Sequence, residues 1–297
     1  MIEAKGIVKK YDKHQALKGL DLSIQKGDVF GLLGPNGAGK TTFIRILNQI
    51  IAPDQGHVLF NGEALKSSHI GRIGYLPEER GLYPKMKIGE QLLYLAQLKG
   101  LTKKEAHERI QYWLQRFELK DRVNTKVEAL SKGLAQKVQF IASVIHEPEL
   151  LILDEPFTGF DPVNAEHIKS EILRLNQEGA TIIFSTHRME SVEELCENIV
   201  LINQGEKLLE GSLAEIKSQY RSGWYKLECR KEWQPTDGNW IVESLDSKSN
   251  RYHYRIKLES KDIPKILDAV KGLELVNFQE ETPSLNEIFI KSTSGHE

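Results

Sequence analysis

The sequence predicts an α/β fold in which a parallel sheet is interrupted by a helical insert and followed by a small C-terminal α+β domain. Short, fully apolar runs at 150–153, 181–184 and 199–202 are typical of buried parallel strands. Between about 87 and 146 the apolar residues recur instead at helical spacing. After about residue 220 polar and apolar residues alternate, which indicates half-buried strands of a separate domain.

The composition is that of a globular protein without a polyanionic partner. The chain has 297 residues, 40% hydrophobic and 28% charged, and its net charge of −2 provides no general attraction to nucleic acid or anionic lipid. Cys196 and Cys229 lack metal-binding spacing and indicate a reduced, cytoplasmic protein, with a disulfide between them as the less favoured alternative. Residues 1–5 lack the apolar core of a signal peptide, and no apolar run approaches the ~18 residues of a membrane helix. Any path across a membrane would then be formed by another chain.

The N-terminal elements are expected to be short strands separated by turns. Residues 21–24 and 29–33 are the first apolar runs, and the second is expected to be a buried strand. Residues 57–60 form another apolar run, followed by Asn61 and Gly62, a pair that is typical of hairpin turns. We therefore expect strands at all three places.

The helical insert is predicted from two apolar faces. Leu92, Leu95 and Ala96 share one face of a first helix. The segment 102–105 then fits a capping box, in which a threonine and a glutamate satisfy free N–H groups at a helix start. The apolar face of this second helix comprises Ala106, Ile110, Trp113, Leu114 and Phe117.

The C-terminal domain is expected to contain both strands and helix. Residues 251–258 alternate strictly between polar and apolar, 263–270 are predicted to form a short helix, and 273–278 another strand. Three of the four tryptophans lie in this domain: Trp224, Trp233 and Trp240. Because its charges nearly balance, these rings are expected to form a core rather than a platform for nucleic-acid bases.

Residues 34–41 read Gly-Pro-Asn-Gly-Ala-Gly-Lys-Thr and match the pattern G-x-x-x-x-G-K-[ST] in full. They lie between an apolar strand and an amphipathic helix at 42–47, so backbone N–H groups converge on a phosphate chain at a helix N-terminus. Glycines are required because side chains would block that approach. Lys40 would reach the β- and γ-phosphates, and the Thr41 hydroxyl would hold Mg²⁺. The sequence therefore predicts a P-loop nucleotide-binding domain that binds a nucleoside triphosphate.

Two carboxylates, Asp154 and Glu155, follow the apolar run at 150–153. An aspartate at the carboxyl end of a buried strand beside a phosphate loop is placed to hold Mg²⁺, directly or through water. The adjacent glutamate can polarise a water for in-line attack on the γ-phosphate. Because Asp-Glu after a strand is common, this prediction depends on the phosphate loop.

Two further segments point to phosphate, and each has an ordinary alternative. His187 follows the apolar run at 181–184 and can hold the attacking water; the alternative is a surface or capping histidine. Ser131 and Gly133 can present a hydroxyl and backbone N–H groups to an anion; the alternative is a plain helix cap. Since one chain needs only one phosphate loop, a second anion site suggests a partner's nucleotide.

The stretch from Leu130 to Lys137 resembles the signature motif of ATP-binding cassette (ABC) proteins, and residues 1 to about 215 carry the motifs of that family in order. The matching segments are Tyr11 for the adenine-stacking aromatic residue, 34–41 for Walker A, 150–155 for Walker B, 159–161 for the D-loop and His187 for the switch histidine. Together these motifs identify the chain as a member of the family.

The resemblance implies an ABC ATPase domain over 1–218, with the helical subdomain at about 87–146, and an accessory domain over 219–297. It also implies two ATP molecules and Mg²⁺ bound between two head-to-tail cassettes, a homodimer or a paired cassette. The residues expected to bind nucleotide are Tyr11, Gly34, Pro35, Asn36, Gly37, Ala38, Gly39, Lys40, Thr41, Thr42, Ser131 and Gly133. The residues expected to bind the metal are Thr41, Glu78 and Asp154, and those expected to act in catalysis are Glu155 and His187.

The chain departs from the family pattern in three places. Glu78 stands where most members have a glutamine, which adds negative charge and should favour metal binding or raise the pKa of a neighbouring carboxylate. Lys132 and Leu134 replace a glycine and a glutamine of the signature, and Phe160 replaces the usual leucine of the D-loop. The segments 76–83 and 283–289 resemble the sodium-exporter-like (NatA-like) branch of bacterial ABC ATPases.

The resemblance implies the ATP-hydrolysing subunit of an ABC exporter that drives separate, polytopic membrane permease subunits. We expect it on the inner face of the cell membrane, cytoplasmic and peripheral, without a nucleic-acid partner. A groove between the helical insert and the core near Glu78 would receive a short permease helix, with Tyr83, Pro84 and Met86 as its floor; a plain loop is the alternative. The cargo, and the role of the C-terminal domain, stay open.

The sequence leaves two alternatives to the exporter function. A cassette ATPase acting in translation or DNA repair is disfavoured because the chain has one phosphate loop, and because Glu78 and Ser131 lie only 53 positions apart, too few for a long coiled coil. A regulatory cassette without turnover is disfavoured by the presence of the residues expected for hydrolysis, namely Lys40, Asp154, Glu155 and His187.

Overall fold

The computed structural model describes residues 1–12, 14–79, 81–234, 240–248 and 251–294. They form two compact units, Met1–Leu213 and Ala214–Glu297. The boundary predicted from the sequence, after residue 218, falls within a helix at the start of the second unit.

The first unit combines strands and helices. Its strands are β1 (Ile2–Tyr11), β2 (His14–Ile24), β3 (Val29–Leu33), β4 (Gln55–Phe60), β5 (Glu63–Ala64), β6 (Ile73–Leu76), β7 (Leu150–Asp154), β8 (Thr181–Thr186), β9 (Asn198–Asn203) and β10 (Glu206–Ser212). Its α-helices are α1 (Lys40–Leu47), α2 (Ile88–Leu98), α3 (Lys103–Arg116), α4 (Lys132–Val144), α5 (Pro162–Gln177) and α6 (Met189–Leu195). Short 3₁₀ helices span Ser67–Arg72, Lys120–Arg122 and Val127–Ala129.

The central sheet has the strand order β10-β9-β3-β8-β7-β6, and only the β9–β10 pair of the sheet is antiparallel. Every residue of β3, β7 and β8 is buried, which confirms the prediction of a parallel sheet covered on both faces. Because parallel strands end at the same edge, the loops after β3, β7 and β8 meet there. A second sheet, β2-β1-β4-β5, is antiparallel throughout, and the 61–62 turn joins β4 to β5.

The helical insert between β6 and β7 agrees with the sequence prediction. Thr102 caps α3: its hydroxyl accepts a hydrogen bond from the Glu105 backbone at 3.3 Å, and the Glu105 carboxylate accepts one from the Thr102 backbone at 2.8 Å. The predicted apolar face of α3 is buried, namely Ala106, Ile110, Trp113, Leu114 and Phe117. On α2, Leu92 and Ala96 are buried and Leu95 is half-buried.

A half-buried basic pair, Lys99 at the end of α2 and His146 at the end of α4, contacts β6. The Nε2 of His146 lies 3.1 Å from the Ile73 carbonyl oxygen, and the Lys99 ammonium donates to the same oxygen at 2.7 Å. Burial lowers the pKa of His146 to about 4, and the neighbouring Lys99 charge adds to that shift. Burial also lowers the pKa of Lys99 to about 8. His146 is therefore neutral in the folded protein at neutral pH.

Acid is expected to destabilise the first unit through His146. The folded-state pKa of about 4 lies below the ordinary 6.5, so the stability from neutral His146 is present above pH 6.5 and is lost as the pH falls toward 4. His146→Gln keeps an N–H donor for Ile73 but does not titrate. Thermal denaturation over this range should show a smaller loss of Tm for His146→Gln than for the wild type. His107→Gln, at an exposed histidine of α3, should behave like the wild type; equal losses in all three would contradict the prediction.

The second unit contains α7 (Leu213–Gln219, which begins at the last residue of the first unit), β11 (Trp224–Cys229), β12 (Ile241–Lys248), β13 (Arg251–Lys257), α8 (Ile263–Ala269), β14 (Leu275–Glu280) and α9 (Leu285–Ser294), with a 3₁₀ helix at Ser260–Asp262. Its antiparallel sheet has the order β12-β13-β11-β14. In β13, Tyr254 and Ile256 are buried whereas Arg251 and Lys257 are exposed, which confirms the predicted half-buried strand. Trp233 is also buried, as expected for a core residue.

Two expectations about the chain as a whole can be compared with the fold. Cys196 and Cys229 are both buried free thiols, so they do not form the alternative disulfide. Among the described residues, no helix combines the length and the apolar character needed to cross a bilayer.

Candidate active site

The phosphate loop connects β3 to α1 and depends on its glycines. Gly34, Gly37 and Gly39 have φ angles of 147°, 80° and 111°, in the region that favours glycine. A Cβ on Gly34 would collide with the Ile202 carbonyl of β9, and one on Gly39 would lie 2.6 Å from the Ala16 carbonyl. The backbone thus turns sharply against neighbouring strands and leaves its N–H groups at the start of α1.

Lys40, the first residue of α1, lies inside this loop with 7% of its surface exposed. Its ammonium donates hydrogen bonds to the carbonyl oxygens of Gly34 at 2.7 Å and Pro35 at 3.1 Å. Burial lowers the pKa of Lys40. Three carboxylates of the same cleft oppose that shift: Glu155, Asp154 and Glu78. The ammonium is therefore held between the phosphate loop and a cluster of negative charge.

A cleft of about 360 Å³ surrounds the phosphate loop. It is lined by Tyr11, His14, Ala16, Asn36, Gly37, Ala38, Gly39, Lys40, Thr41, Thr42, Glu78, Asp154 and Glu155. Most of the residues predicted to bind nucleotide thus lie together in this cleft. Among them, Tyr11 is 40% exposed. His14 was not predicted; it is the cross-strand neighbour of Tyr11 in the β1–β2 hairpin, and only that register brings it to the cleft.

The two carboxylates at the end of β7, Asp154 within it and Glu155 after it, are held in different ways. Asp154 is buried, and its Oδ1 accepts a hydrogen bond from the Ser185 hydroxyl at 2.9 Å. Burial raises the pKa of Asp154, and the negative charges of Glu78 and Glu155 raise it further. Several carboxylates thus lie close together in one cleft, and a bound divalent cation would compensate for their negative charge.

Glu155 adopts a left-handed backbone conformation, with φ at 51°, directly after β7. Its Oε2 accepts a hydrogen bond from the Thr186 hydroxyl at 3.0 Å, and its Oε1 accepts one from the His187 backbone at 2.9 Å. The His187 Nδ1 lies 2.6 Å from the same Oε1. Thr186 was not predicted from the sequence, yet it fixes one of the two carboxylate oxygens.

His187 is therefore neither a free surface residue nor a helix cap. Its side chain is 55% exposed at the edge of the cleft and contacts Glu155. The geometry allows it to orient the carboxylate, while its predicted contact with a γ-phosphate stays a prediction.

The signature residues Ser131 and Gly133 lie apart from this cleft, at the N-terminus of α4. The Ser131 hydroxyl accepts a hydrogen bond from the Leu134 backbone at 3.4 Å, so the expected capping role is present. Lys132 extends over Gly159: a Cβ on that glycine would lie 3.1 Å from the Lys132 Cδ. The lysine that departs from the family pattern thus packs on the D-loop of its own chain.

The donor set of the cleft fits Mg²⁺. Thr41, Glu78 and Asp154 offer hydroxyl and carboxylate oxygens, the ligands this hard cation prefers together with water and phosphate. Among the described residues, no cluster of three or more histidine, cysteine or acidic side chains is preassembled around a metal position. A cation would therefore be held jointly by the protein and the nucleotide phosphates, as is usual for Mg²⁺.

Comparison with known proteins identifies the family. Residues 17–158 match the family model described as "ABC transporter". Over 298 residues the chain is 42% identical to YhaQ of Bacillus subtilis, an uncharacterized ABC transporter ATP-binding protein, and covers 99% of both chains. The chain belongs to the family of ABC transporter ATP-binding proteins. This ABC subunit is an ATPase, because the cassettes of its family hydrolyse ATP.

Other matches cover the remaining parts of the ABC subunit. Residues 211–293 match the C-terminal domain of DrrA1-3-like ATP-binding proteins. The linearmycin resistance ATP-binding protein LnrL of B. subtilis is 38% identical over 224 residues, which are 74% of this chain and 71% of LnrL. NatA of the same organism is 38% identical over 212 residues, 70% of this chain and 86% of NatA. The prediction of a NatA-like ABC ATPase is thereby confirmed.

Solved structures confirm the predicted P-loop cassette fold. The ATP-binding subunit of an ABC transporter superimposes with a TM-score of 0.70 at 30% identity, over 74% of this chain and 93% of that one. The dimeric post-hydrolysis state of the cassette MJ0796, bound to ADP and Pi, gives a TM-score of 0.66 at 25% identity, over 72% and 99% of the chains.

Proposed function

We propose that this ABC subunit binds ATP–Mg²⁺ in the cleft around the phosphate loop, dimerises around two such nucleotides, and drives separate membrane-spanning permease subunits of an exporter. One observation carries the proposal: Lys40, Asp154 and a hydrogen-bonded Glu155 share one cleft, whereas Ser131 and Gly133 lie outside it. The hydrolytic groups are thus assembled in one chain, while the second phosphate-binding segment is left for another nucleotide.

Within the cleft, each side chain has a distinct task. Lys40 exchanges its loop carbonyls for oxygens of the β- and γ-phosphates, a charge-assisted contact of the kind that holds triphosphates. Thr41, Glu78 and Asp154 hold Mg²⁺, which when bound neutralises charge on the phosphates. Tyr11 stacks on the base at the exposed end of the cleft.

Glu155 is the general base in this proposal. The Thr186 hydroxyl and the His187 backbone fix its carboxylate, so one geometry is presented to a water in line with the γ-phosphate. Glu155 takes the proton of that water as the water oxygen bonds to the γ-phosphorus. The bond from that phosphorus to the oxygen shared with the β-phosphate breaks, and ADP is the leaving group. His187 contacts the carboxylate through Nδ1, and its side chain is 55% exposed. In this proposal it also contacts the γ-phosphate.

Dimerisation is supported by the position of the signature and by the dimeric cassette MJ0796 among similar structures. Ser131 and Gly133 are exposed or half-buried at the start of α4, where backbone N–H groups and a helix dipole favour an anion. In the proposed head-to-tail dimer these residues contact the γ-phosphate bound by the other copy. ATP then closes the dimer, and hydrolysis reopens it.

The exporter partner is supported by the relatives and by one surface. LnrL is named as a linearmycin resistance ATP-binding protein, and resistance is an effect that an exporter can provide. Near Glu78, the rings of Tyr83 and Tyr94 are 51% and 43% exposed and pack edge to face at 6.1 Å. Such an aromatic pair can dock a short helix of a permease. The subunit would thereby be peripheral on the inner face of the membrane.

The test is a pull-down of tagged Glu155→Gln protein from detergent-solubilised membranes with ATP and Mg²⁺. A polytopic membrane protein at stoichiometric yield is the expected result, and tagged Lys40→Ala protein tests whether capture needs nucleotide. A ribosomal or DNA-associated partner without a membrane chain would overturn the exporter proposal in favour of translation or DNA repair.

A further inference from the structure

A buried glutamine links the signature helix to the loop that carries Glu78. Gln139 lies on α4 with 4% of its surface exposed. Its Nε2 donates hydrogen bonds to the carbonyl oxygens of Pro77 at 3.0 Å and Glu79 at 3.1 Å. The two acceptors flank Glu78 in the chain, so one amide group holds the backbone on both sides of that residue.

A glutamine at position 139 is better explained by its hydrogen bonds to the backbone around Glu78 than by its packing in the core. Both N–H bonds of the amide are used, but its Oε1 is buried and has no hydrogen-bond partner in the part of the chain that the structure describes. An unpaired buried acceptor is unfavourable, and an apolar side chain of similar shape would avoid it. What leucine cannot supply is a pair of donors directed at two carbonyl groups.

The residue held in this way lies in the nucleotide cleft. The Glu78 side chain is exposed and lines that cleft. Its negative charge contributes to the raised pKa of Asp154 and opposes the lowered pKa of Lys40, so it acts on both groups. Because α4 begins next to Ser131, Gln139 also connects this carboxylate to the helix that carries the signature.

We propose that Gln139 is a positioning residue that holds Glu78 in the metal-binding part of the cleft. The inference rests on the proposed assignment of Glu78 to Mg²⁺. Gln139 itself touches neither nucleotide nor metal; it acts on the backbone around Glu78 and makes that carboxylate follow the position of α4. A nucleotide that binds at the Ser131 end of α4 would thereby affect metal binding in the cleft of the same chain.

The experiment measures nucleotide affinity rather than turnover. A non-hydrolysable ATP analogue is titrated with Mg²⁺ and with chelator, and the ratio of the two dissociation constants gives the gain in affinity due to the metal. Gln139→Leu should lower this gain about tenfold, the lower end of what the loss of an outer-shell partner costs. The affinity in chelator should be unchanged. Gln139→Met, which also lacks the donors, replaces it if the leucine variant does not fold.

Two comparisons make the result specific. Glu78→Gln should lower the same gain, and Glu78→Gln combined with Gln139→Leu should be no worse than Glu78→Gln alone, because Gln139 acts through Glu78. Gln91→Leu is the matched control: Gln91 is also fully buried, with an unpaired Nε2, but its Oε1 accepts from the Tyr83 backbone. The metal-dependent gain of this control should equal that of the wild type.

The possible results show whether the positioning role of Gln139 or the assignment of Glu78 to Mg²⁺ is wrong. If Glu78→Gln lowers the gain and Gln139→Leu does not, or if the two effects add, Gln139 has no positioning role. If Glu78→Gln leaves the gain unchanged, the carboxylate charge of Glu78 does not contribute to metal binding, and the assignment from which the inference starts is wrong.

Discussion

Replacing Glu155 with glutamine is expected to reduce ATP hydrolysis by about 10³-fold while ATP still binds. Glutamine has nearly the same shape: its carbonyl oxygen can keep the hydrogen bond from the His187 backbone, and its NH2 group can donate to the Thr186 hydroxyl oxygen. It cannot take a proton from the attacking water. Substrate then binds without turnover, and a dimer that closes on ATP accumulates.

Steady-state phosphate release and size-exclusion chromatography with ATP and Mg²⁺ check this prediction. The control is Glu166→Gln, which makes the same chemical change at an exposed residue of α5. It should hydrolyse ATP at the wild-type rate and should not accumulate as a dimer. An unchanged hydrolysis rate in Glu155→Gln would remove Glu155 from the role of base.

Replacing Lys40 with alanine is expected to weaken ATP binding by about ten- to a hundredfold, as the loss of charge-assisted hydrogen bonds to phosphate implies. The protein should nevertheless fold. The Lys40 ammonium is largely buried, and its lowered pKa means that burial already costs the charged form free energy. Its removal loses hydrogen bonds to Gly34 and Pro35 but also relieves that cost, so a large fall in Tm is not expected.

Equilibrium titration with ATP and thermal denaturation, carried out on the same preparation, separate the two effects. Lys104→Ala removes an equal charge from an exposed position of α3 and should retain wild-type affinity and Tm. Normal ATP affinity in Lys40→Ala would mean that the assignment of the phosphate loop is wrong.

Local patterns were sufficient for most of the fold and for the backbone of the site. The all-apolar runs became β3, β7, β8 and β9 because a strand covered on both faces leaves little room for polar residues. The phosphate loop was predictable because its glycines and lysine are contiguous. Asp154 and Glu155 were placed through their position after such a strand.

The residues that escaped prediction reach the site through strand pairing or tertiary contacts, which a contiguous motif does not report. Thr186 reaches Glu155 only because β7 and β8 pair in one register. His14 reaches the cleft through its pairing with Tyr11. Gln139 follows no motif, and its acceptors lie about sixty residues earlier in the chain. The helical spacing of apolar residues predicts which face of α4 is buried, but it does not predict which groups the buried amide of Gln139 contacts.

The position of β3 in the sheet has a consequence for how the protein is made. Its two neighbours, β8 and β9, are translated long after the Gly34–Thr41 loop has left the ribosome. A Cβ on Gly34 would collide with the Ile202 carbonyl, so the finished loop lies against β9, which follows the helical insert in the chain. A ligand that binds the folded state stabilises that state, so ATP would favour the unit in which these contacts are complete. A nascent chain arrested within the helical insert would carry the whole Walker A loop and still lack the strand against which its first glycine lies.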